Sequence, residues 1–302
     1  MKTLINSKKQ NVLLFVILML CTQLNITYAQ EMFGLSSGYE IFPYVELAEP
    51  IEGAPDLEIQ ASSIYLGAAF PLILKEGKII VMNQLNYKRT DFNYRNLPDS
   101  DDEITQLHSI EYTMFMIDSL SEKWKMVAVV TPGIASDLES DFSSDDITIS
   151  AVFGYIKTMN KNFDLGFGLA YMPDFGEPLP MPFVYVDWDI NPQLNVNGIL
   201  PSDLTLLYKF NPKIDLGLSL MIDGNRYHGD PDKFDVESPF LQYSEGTISP
   251  MVNIHLSKLI HLNVEGGYAF YRNFAFFDDD DEVQSLDLKR TGYLRARLVL
   301  GM

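Results

Sequence analysis

Asp223, Arg226, Tyr227, His228 and Asp230 form the densest group of chemically capable side chains in the sequence. Two carboxylates, a guanidinium, a phenol and an imidazole in one short segment could bind a ligand or act on lipid. A histidine among aspartates at a surface turn also serves as a hydrogen-bonded anchor, and a motif without geometry does not choose between these roles. The run Asp278-Asp279-Asp280-Asp281-Glu282 offers the oxygens that hard divalent cations take. It lacks the glycine turn and spaced ligands of a dedicated calcium loop and reads as a solvated loop. Hydrolysis needs a nucleophile beside a base. His108 and Ser109 are adjacent, so on a strand they point to opposite faces. His255 and His261 have no matching serine, and the four histidines lack metal-ligand spacing such as two His on one helical turn. No catalytic residue, metal or cofactor is expected.

The elements that must position these groups are strands. From Phe163 the odd positions are Phe163, Leu165, Phe167, Leu169 and Tyr171, and the even ones Asp164, Gly166, Gly168 and Ala170, a period of two. Before the turn-forming Asn160-Lys161-Asn162, Ile147 to Tyr155 alternate in the same way, which makes a hairpin. Thirteen such segments recur between Glu58 and Met302, ending with Ser285 to Met302. A further one is expected at Ser37 to Leu47 despite Pro43. A soluble sandwich would turn the aromatic face inward, and a membrane barrel would turn it to lipid.

The amino terminus places the chain outside the cytoplasm. Lys2, Lys8 and Lys9 precede an apolar run from Val12 to Cys21, and Thr27-Tyr28-Ala29 suits a signal-peptidase cut after Ala29. The run is too short for a spanning helix, which needs about 20 residues. Residues 1–29 therefore read as a signal peptide and 30–302 as one domain. Cys21, the only cysteine, leaves with the leader, so the mature chain has no disulfide or thiolate site. The full chain carries 22 basic and 41 acidic residues, which makes nucleic acid an unlikely partner.

Loop lengths decide between sandwich and barrel. Short turns such as Ser121-Glu122-Lys123, Asn191-Pro192-Gln193 and Asn211-Pro212-Lys213 alternate with long acidic loops at 93–106, 137–145, 173–180, 225–240 and 275–284, the Pro201-Ser202 connection being the exception. An outer-membrane barrel sorts its connections in this way, with tight periplasmic turns and longer outside loops. With an even strand count required, the expectation is an all-β, antiparallel transmembrane barrel of fourteen strands, twelve being the fallback. Its partners would be outer-membrane lipid, the barrel-insertion machinery and a small solute.

Arg or Lys facing lipid at mid-bilayer costs about 2 to 4 kcal/mol, so the charged parity must face the lumen. That rule puts Phe163, Leu165, Phe167 and Leu169 toward lipid. It assigns Glu111, Asp164, Asp187, Asp189, Asp215 and Glu265 to the interior, with Lys289, Arg295 and Arg297 from the last strand. An acidic lining would favour small cations. Pairing of the same groups across the lumen would instead stabilise a blocked barrel whose function lies in its loops. An outer-membrane enzyme is the least favoured reading, and an exported soluble β-sandwich is the alternative fold.

The segments MPFVYVDWDINPQLNVNGILPSDLTLLYKFNPKIDLGLSL and IDGNRYHGDP resemble a family of exported β-barrel proteins from Gram-negative bacteria that is known only as a domain of unknown function. The resemblance implies location and fold, and it carries over no catalytic residue.

Overall fold

The computed structural model describes residues 33–51, 53–97, 104–139, 142–172, 179–230, 239–278 and 281–301. The leader, with Ala29, lies outside them, as does part of the acidic run at 278–282. Fifteen strands run in chain order: β1 (Gly34–Glu46), β2 (Glu58–Leu74), β3 (Ile79–Arg95), β4 (Gln106–Ser119), β5 (Trp124–Ser136), β6 (Ile147–Asn160), β7 (Phe163–Met172), β8 (Leu179–Asn191), β9 (Leu194–Leu200), β10 (Asp203–Asn211), β11 (Ile214–His228), β12 (Pro239–His255), β13 (Ile260–Asp278), β14 (Asp281–Asp287) and β15 (Thr291–Leu300).

Each strand pairs antiparallel with its sequence neighbour up to β13. β15 then joins β13 to β1 and closes the ring. The wall has fourteen positions because β14 and β15 share one: β14 pairs with the upper half of β13 and β15 with the lower half. The segment expected as one strand, Ser285 to Met302, is thus interrupted near Leu288. Lys289, expected in the lumen, is displaced by that break to the long-loop rim, where it pairs with Glu46 and is half exposed. Closure rules out the open-edged sandwich.

Alternation explains which way each strand faces. On β3 the outward positions read Ile79, Val81, Asn83, Leu85 and Tyr87, then Arg89, Asp91, Asn93 and Arg95. On β2 the polar outward residues Glu58, Gln60 and Ser62 give way to Ile64, Leu66, Ala68 and Phe70 at the same height. Outward Leu66, Leu85, Ile110, Phe153, Phe167, Leu169, Leu206, Leu218 and Leu294 are all well exposed. Apolar exposure on that scale is stable only against lipid. The band ends at Ile64 and Tyr87, so everything beyond those residues toward the long loops stands in water.

Strand length then divides the molecule. Crossing a bilayer takes about 9–11 residues. β7, β9 and β10 have 10, 7 and 9 residues, whereas β2, β3 and β12 have 17 and β13 has 19. The long strands continue past the apolar band as a second, narrower barrel. Its nine wall positions are β11, β12, β13, β14 and β1 to β5. They close on themselves where β5 meets β11 in parallel at Ser136 and His228. Among the described residues the sector β6 to β10 has no such extension.

The extension is solid. Phe42, Ile59, Ala61, Phe92, Leu107, Ala135, Tyr227, Leu241, Tyr243 and Phe274 face inward from its strands and are buried. Leu47, Ala54, Leu57 and Ile104 cap them from the loops above. Phe92 meets Tyr243 and Phe274 edge-on at 5.6 and 5.0 Å, the favoured geometry for aromatic pairs. Water is excluded from the axis at this end.

Candidate functional site: a polar lumen beneath an off-centre core

A polar layer lies immediately below the apolar core. Arg295 on β15 bonds Glu40 on β1 and reaches Glu245 and Glu265 at 3.4 and 3.3 Å. Tyr65 donates to Glu40 at 2.9 Å. Lys88 on β3 crosses the lumen to Asp223 on β11 at 3.1 Å. A cationic charge in such a place is stable only because carboxylates surround it. Next to this layer Tyr65, Asn86, Lys88, Glu111, Asp223 and Arg297 line a cavity of about 290 Å³.

The sector β6 to β10 presents a different interior. Tyr185, Asp187, Asn195, Asn197, Asp203 and Lys209 line a recess of about 560 Å³. Asn195 donates to Asp187 at 3.0 Å and to Asp189 at 3.1 Å, and Lys125 pairs with Asp164 at 2.8 Å. Toward the long-loop end this sector stops at the two-residue turn Pro201-Ser202. β8 continues for residues 179–183 and β11 for residues 222–228 beyond their last pairing with β9 and β10. The described wall is two strands short there, and among the described residues the apolar core does not extend over it.

The residues singled out from the sequence fall into three places. Glu111, Asp164, Asp187, Asp215, Glu265, Arg295 and Arg297 share the inward parity, and Asp189 sits with Asn195 at the short-turn rim. Lys289 is outside, as noted above. The segment Asp223 to Asp230 is no single site, because alternation divides it. Asp223 faces the lumen and Tyr227 the apolar core, while Arg226 and His228 take the outward parity. Arg226 lies over the Phe240 and Phe277 rings at 4.1 and 5.2 Å. His228 Nδ1 pairs with Asp146 Oδ1 at 3.0 Å, and the Asp230 N–H donates to Asp137 at 3.1 Å. With Asp137 N–H donating to the His228 carbonyl at 3.2 Å, these contacts clamp the β5–β11 seam. Burial pushes the Asp146 carboxyl up, but the Ser143 N–H and His228 outweigh it and hold the group below its ordinary range.

The remaining candidates take local partners. Ser109 donates to Glu111 inside the barrel at 2.9 Å, while His108 sits outside with its Nδ1 3.0 Å from the Tyr87 hydroxyl. Among the described residues, no three His, Cys, Asp or Glu side chains converge on a metal position. What the sequence reading missed is the apolar core. Phe42, Phe92, Tyr243 and Phe274 occupy the inward parity that polar residues were expected to fill. Their signal was present in strands too long for a membrane crossing alone.

Residues 53–283 match a single family model. The chain belongs to the DUF6268 family, a domain of unknown function. No curated protein matches it. Among solved structures it is similar to an outer membrane channel from Pseudomonas putida F1, at 11% identity and a TM-score of 0.49, over 90% of this chain and 96% of that one. It is also similar to the P. putida toluene transporter TodX, at 7% identity and 0.41, over 92% of each chain. The NanC porin follows at 9% and 0.36, over 89% of this chain and all of that one. Those neighbours are membrane channels and porins. At such identities and scores the likeness concerns the fold alone and adds nothing to the strand order of the DUF6268 chain.

Proposed function

We propose that this DUF6268 protein is an outer-membrane channel for a small polar solute, and that its passage leaves the barrel off-axis. The solute enters at the short-turn, periplasmic rim and crosses the polar lumen. It exits over the Pro201-Ser202 turn, between β8 and β11, beside the solid extension. The observation that carries the reading is the division of the interior. Apolar side chains fill the nine-position extension, whereas Asp187, Asn195, Asn197, Asp203 and Thr205 make the β8–β10 lining polar, beside the inward-facing Ile156 and Phe183 of β6 and β8. Carboxylates outnumber lysines on that lining, which favours a cation or a neutral polar solute over an anion. The solid core also suits a second reading, a blocked barrel with a ligand site in its outer loops.

Planar-bilayer recording separates the two. The mature chain, refolded in detergent, is expected to give discrete conductance steps with a cation-selective reversal potential under a salt gradient. A cysteine placed at Thr205, modified with a bulky thiol reagent, should lower the step size. Tyr243→Ala, which thins the apolar core, should leave it unchanged. Silence from a correctly folded, inserted barrel would overturn the channel reading. Steps that grow in Tyr243→Ala and ignore the Thr205 modification would return the passage to the axis.

A further inference from the structure

At the short-turn mouth, the sequence spacing of two histidines becomes a direct cross-strand pairing. His255 is the last residue of β12 and His261 the second of β13, and the intervening turn sets them opposite one another with both rings in the lumen. Their Nδ1 atoms lie 2.8 Å apart, and His255 Nε2 is 2.8 Å from Asp215 Oδ2 on β11. An ionised carboxylate only accepts hydrogen bonds, so His255 carries its proton on Nε2. Its Nδ1 lone pair is thereby aimed at His261, which donates from its own Nδ1.

We propose that these two Nδ1 atoms bind one divalent transition-metal ion, of the Cu²⁺, Ni²⁺ or Zn²⁺ class, in place of the proton they share. Imidazole nitrogen suits these ions, whereas Mg²⁺ and Ca²⁺ take oxygen. Metal–nitrogen distances of about 2.0–2.1 Å at a tetrahedral angle require the nitrogens to be about 3.3 Å apart, so the rings must separate by about 0.5 Å. The exposed mouth permits that shift, since the His255 side chain retains 33% of its accessibility. On binding, the Nδ1 proton of His261 passes to its Nε2 through water. Both rings stay neutral, and the ion is the only charge added. Asp215 is then the carboxylate that orients a metal-binding histidine from behind, a recurrent arrangement around such ions. It is engaged with Nε2 and faces Lys209 across the strand pair, so it is no third ligand. Water fills the other positions, and the ion exchanges readily.

The test uses the refolded mature barrel without a polyhistidine tag. Titration calorimetry with Ni²⁺ or Zn²⁺ should give one saturable site that excess Mg²⁺ does not displace. The Cu²⁺ electron paramagnetic resonance spectrum should show two nitrogen ligands. His255→Gln and His261→Gln should each abolish the two-nitrogen signature and weaken binding at least 10-fold. Asp215→Ala should keep the signature and lose about 10- to 100-fold in affinity. His228→Gln, at the opposite end of the barrel, should change neither. Heat-dependent gel mobility establishes that each variant is folded. A folded wild type without saturable binding, or unchanged binding in the double His255→Gln, His261→Gln variant, would overturn the assignment.

Discussion

Removing the guanidinium of Arg295 tests how the polar layer is held together. Its side chain is 6% exposed and touches Glu40, Glu245 and Glu265, whose side chains are 1%, 2% and 12% exposed. Arg295→Gln leaves three buried carboxylates turned toward one another. Breaking a buried ion pair from one side costs about 3–5 kcal/mol, because the remaining charge stays in place without its counterion. The rim pair Lys289–Glu46 is the internal control. Both side chains are about half exposed, so Lys289→Gln should cost less than about 1 kcal/mol. Urea unfolding of the refolded barrel in micelles, followed by Trp124 and Trp188 fluorescence, reads both. At a slope near 3 kcal/mol per molar, Arg295→Gln should move the midpoint down by about 1 to 1.7 M with the slope unchanged. Adding Glu40→Gln to Arg295→Gln should restore part of the loss. If Arg295→Gln shifts the midpoint no more than Lys289→Gln does, the network contributes nothing net.

Two other sites give sharp expectations. A Cβ on Gly168 would come within 2.2 Å of the Phe153 carbonyl oxygen and 2.5 Å of Phe183 Cε1. Gly168→Ala should therefore destabilise by about 1–3 kcal/mol, measured by the same unfolding assay, and trimming Phe183 to Leu should not rescue it because the nearer clash is with backbone. The Asp146 carboxyl is held below its ordinary 3.8, so its contribution to the β5–β11 seam is fully present above that value and is lost as pH falls through the lower folded one. Hydrogen exchange at residues 136–138 should accelerate only below about pH 4, whereas Asp146→Asn should loosen the seam at all pH values. Opening near pH 6 would refute the role given to Asp146.

Strand positions were legible because each physical rule acted on a few neighbouring residues. Period-two alternation located twelve of the thirteen segments, with ends within four residues of the observed strands, and turn formers such as Asn160-Lys161-Asn162 fixed where they reversed. The parity argument that required a strand near Ser37 also succeeded, giving β1. Failures came where a long-range contact mattered. The break at Leu288 leaves no local trace, since 285–302 alternates acceptably throughout, and it carried Lys289 out of the lumen. The Asp223–Asp230 cluster looked like one site because its residues are close in sequence, yet on a strand closeness in sequence is division between two faces. His255 and His261 were passed over because the spacing sought was helical, whereas a hairpin brings together any pair equidistant from its turn.

Beyond the short β9–β10 hairpin no strand of the described residues lies between β8 and β11, and the sequence treats each edge by its own means. On β8 the Asp189 N–H bonds toward β7, so by alternation the even residues bond toward β9. Pro180 and Pro182 fall on that parity, at positions beyond the last β8–β9 pair, and neither has an N–H to offer. On β11 the Ile222 N–H bonds Ser202 on the β10 side, so His228 also faces that side, and its carbonyl is taken by Asp137 from β5. One edge is thus deprived of donors and the other is sealed at its far end by a strand from across the barrel. An open edge of this kind ordinarily recruits other chains. Prolines along one side and a clamp on the other work against the addition of a neighbouring copy's strand at this place in the wall.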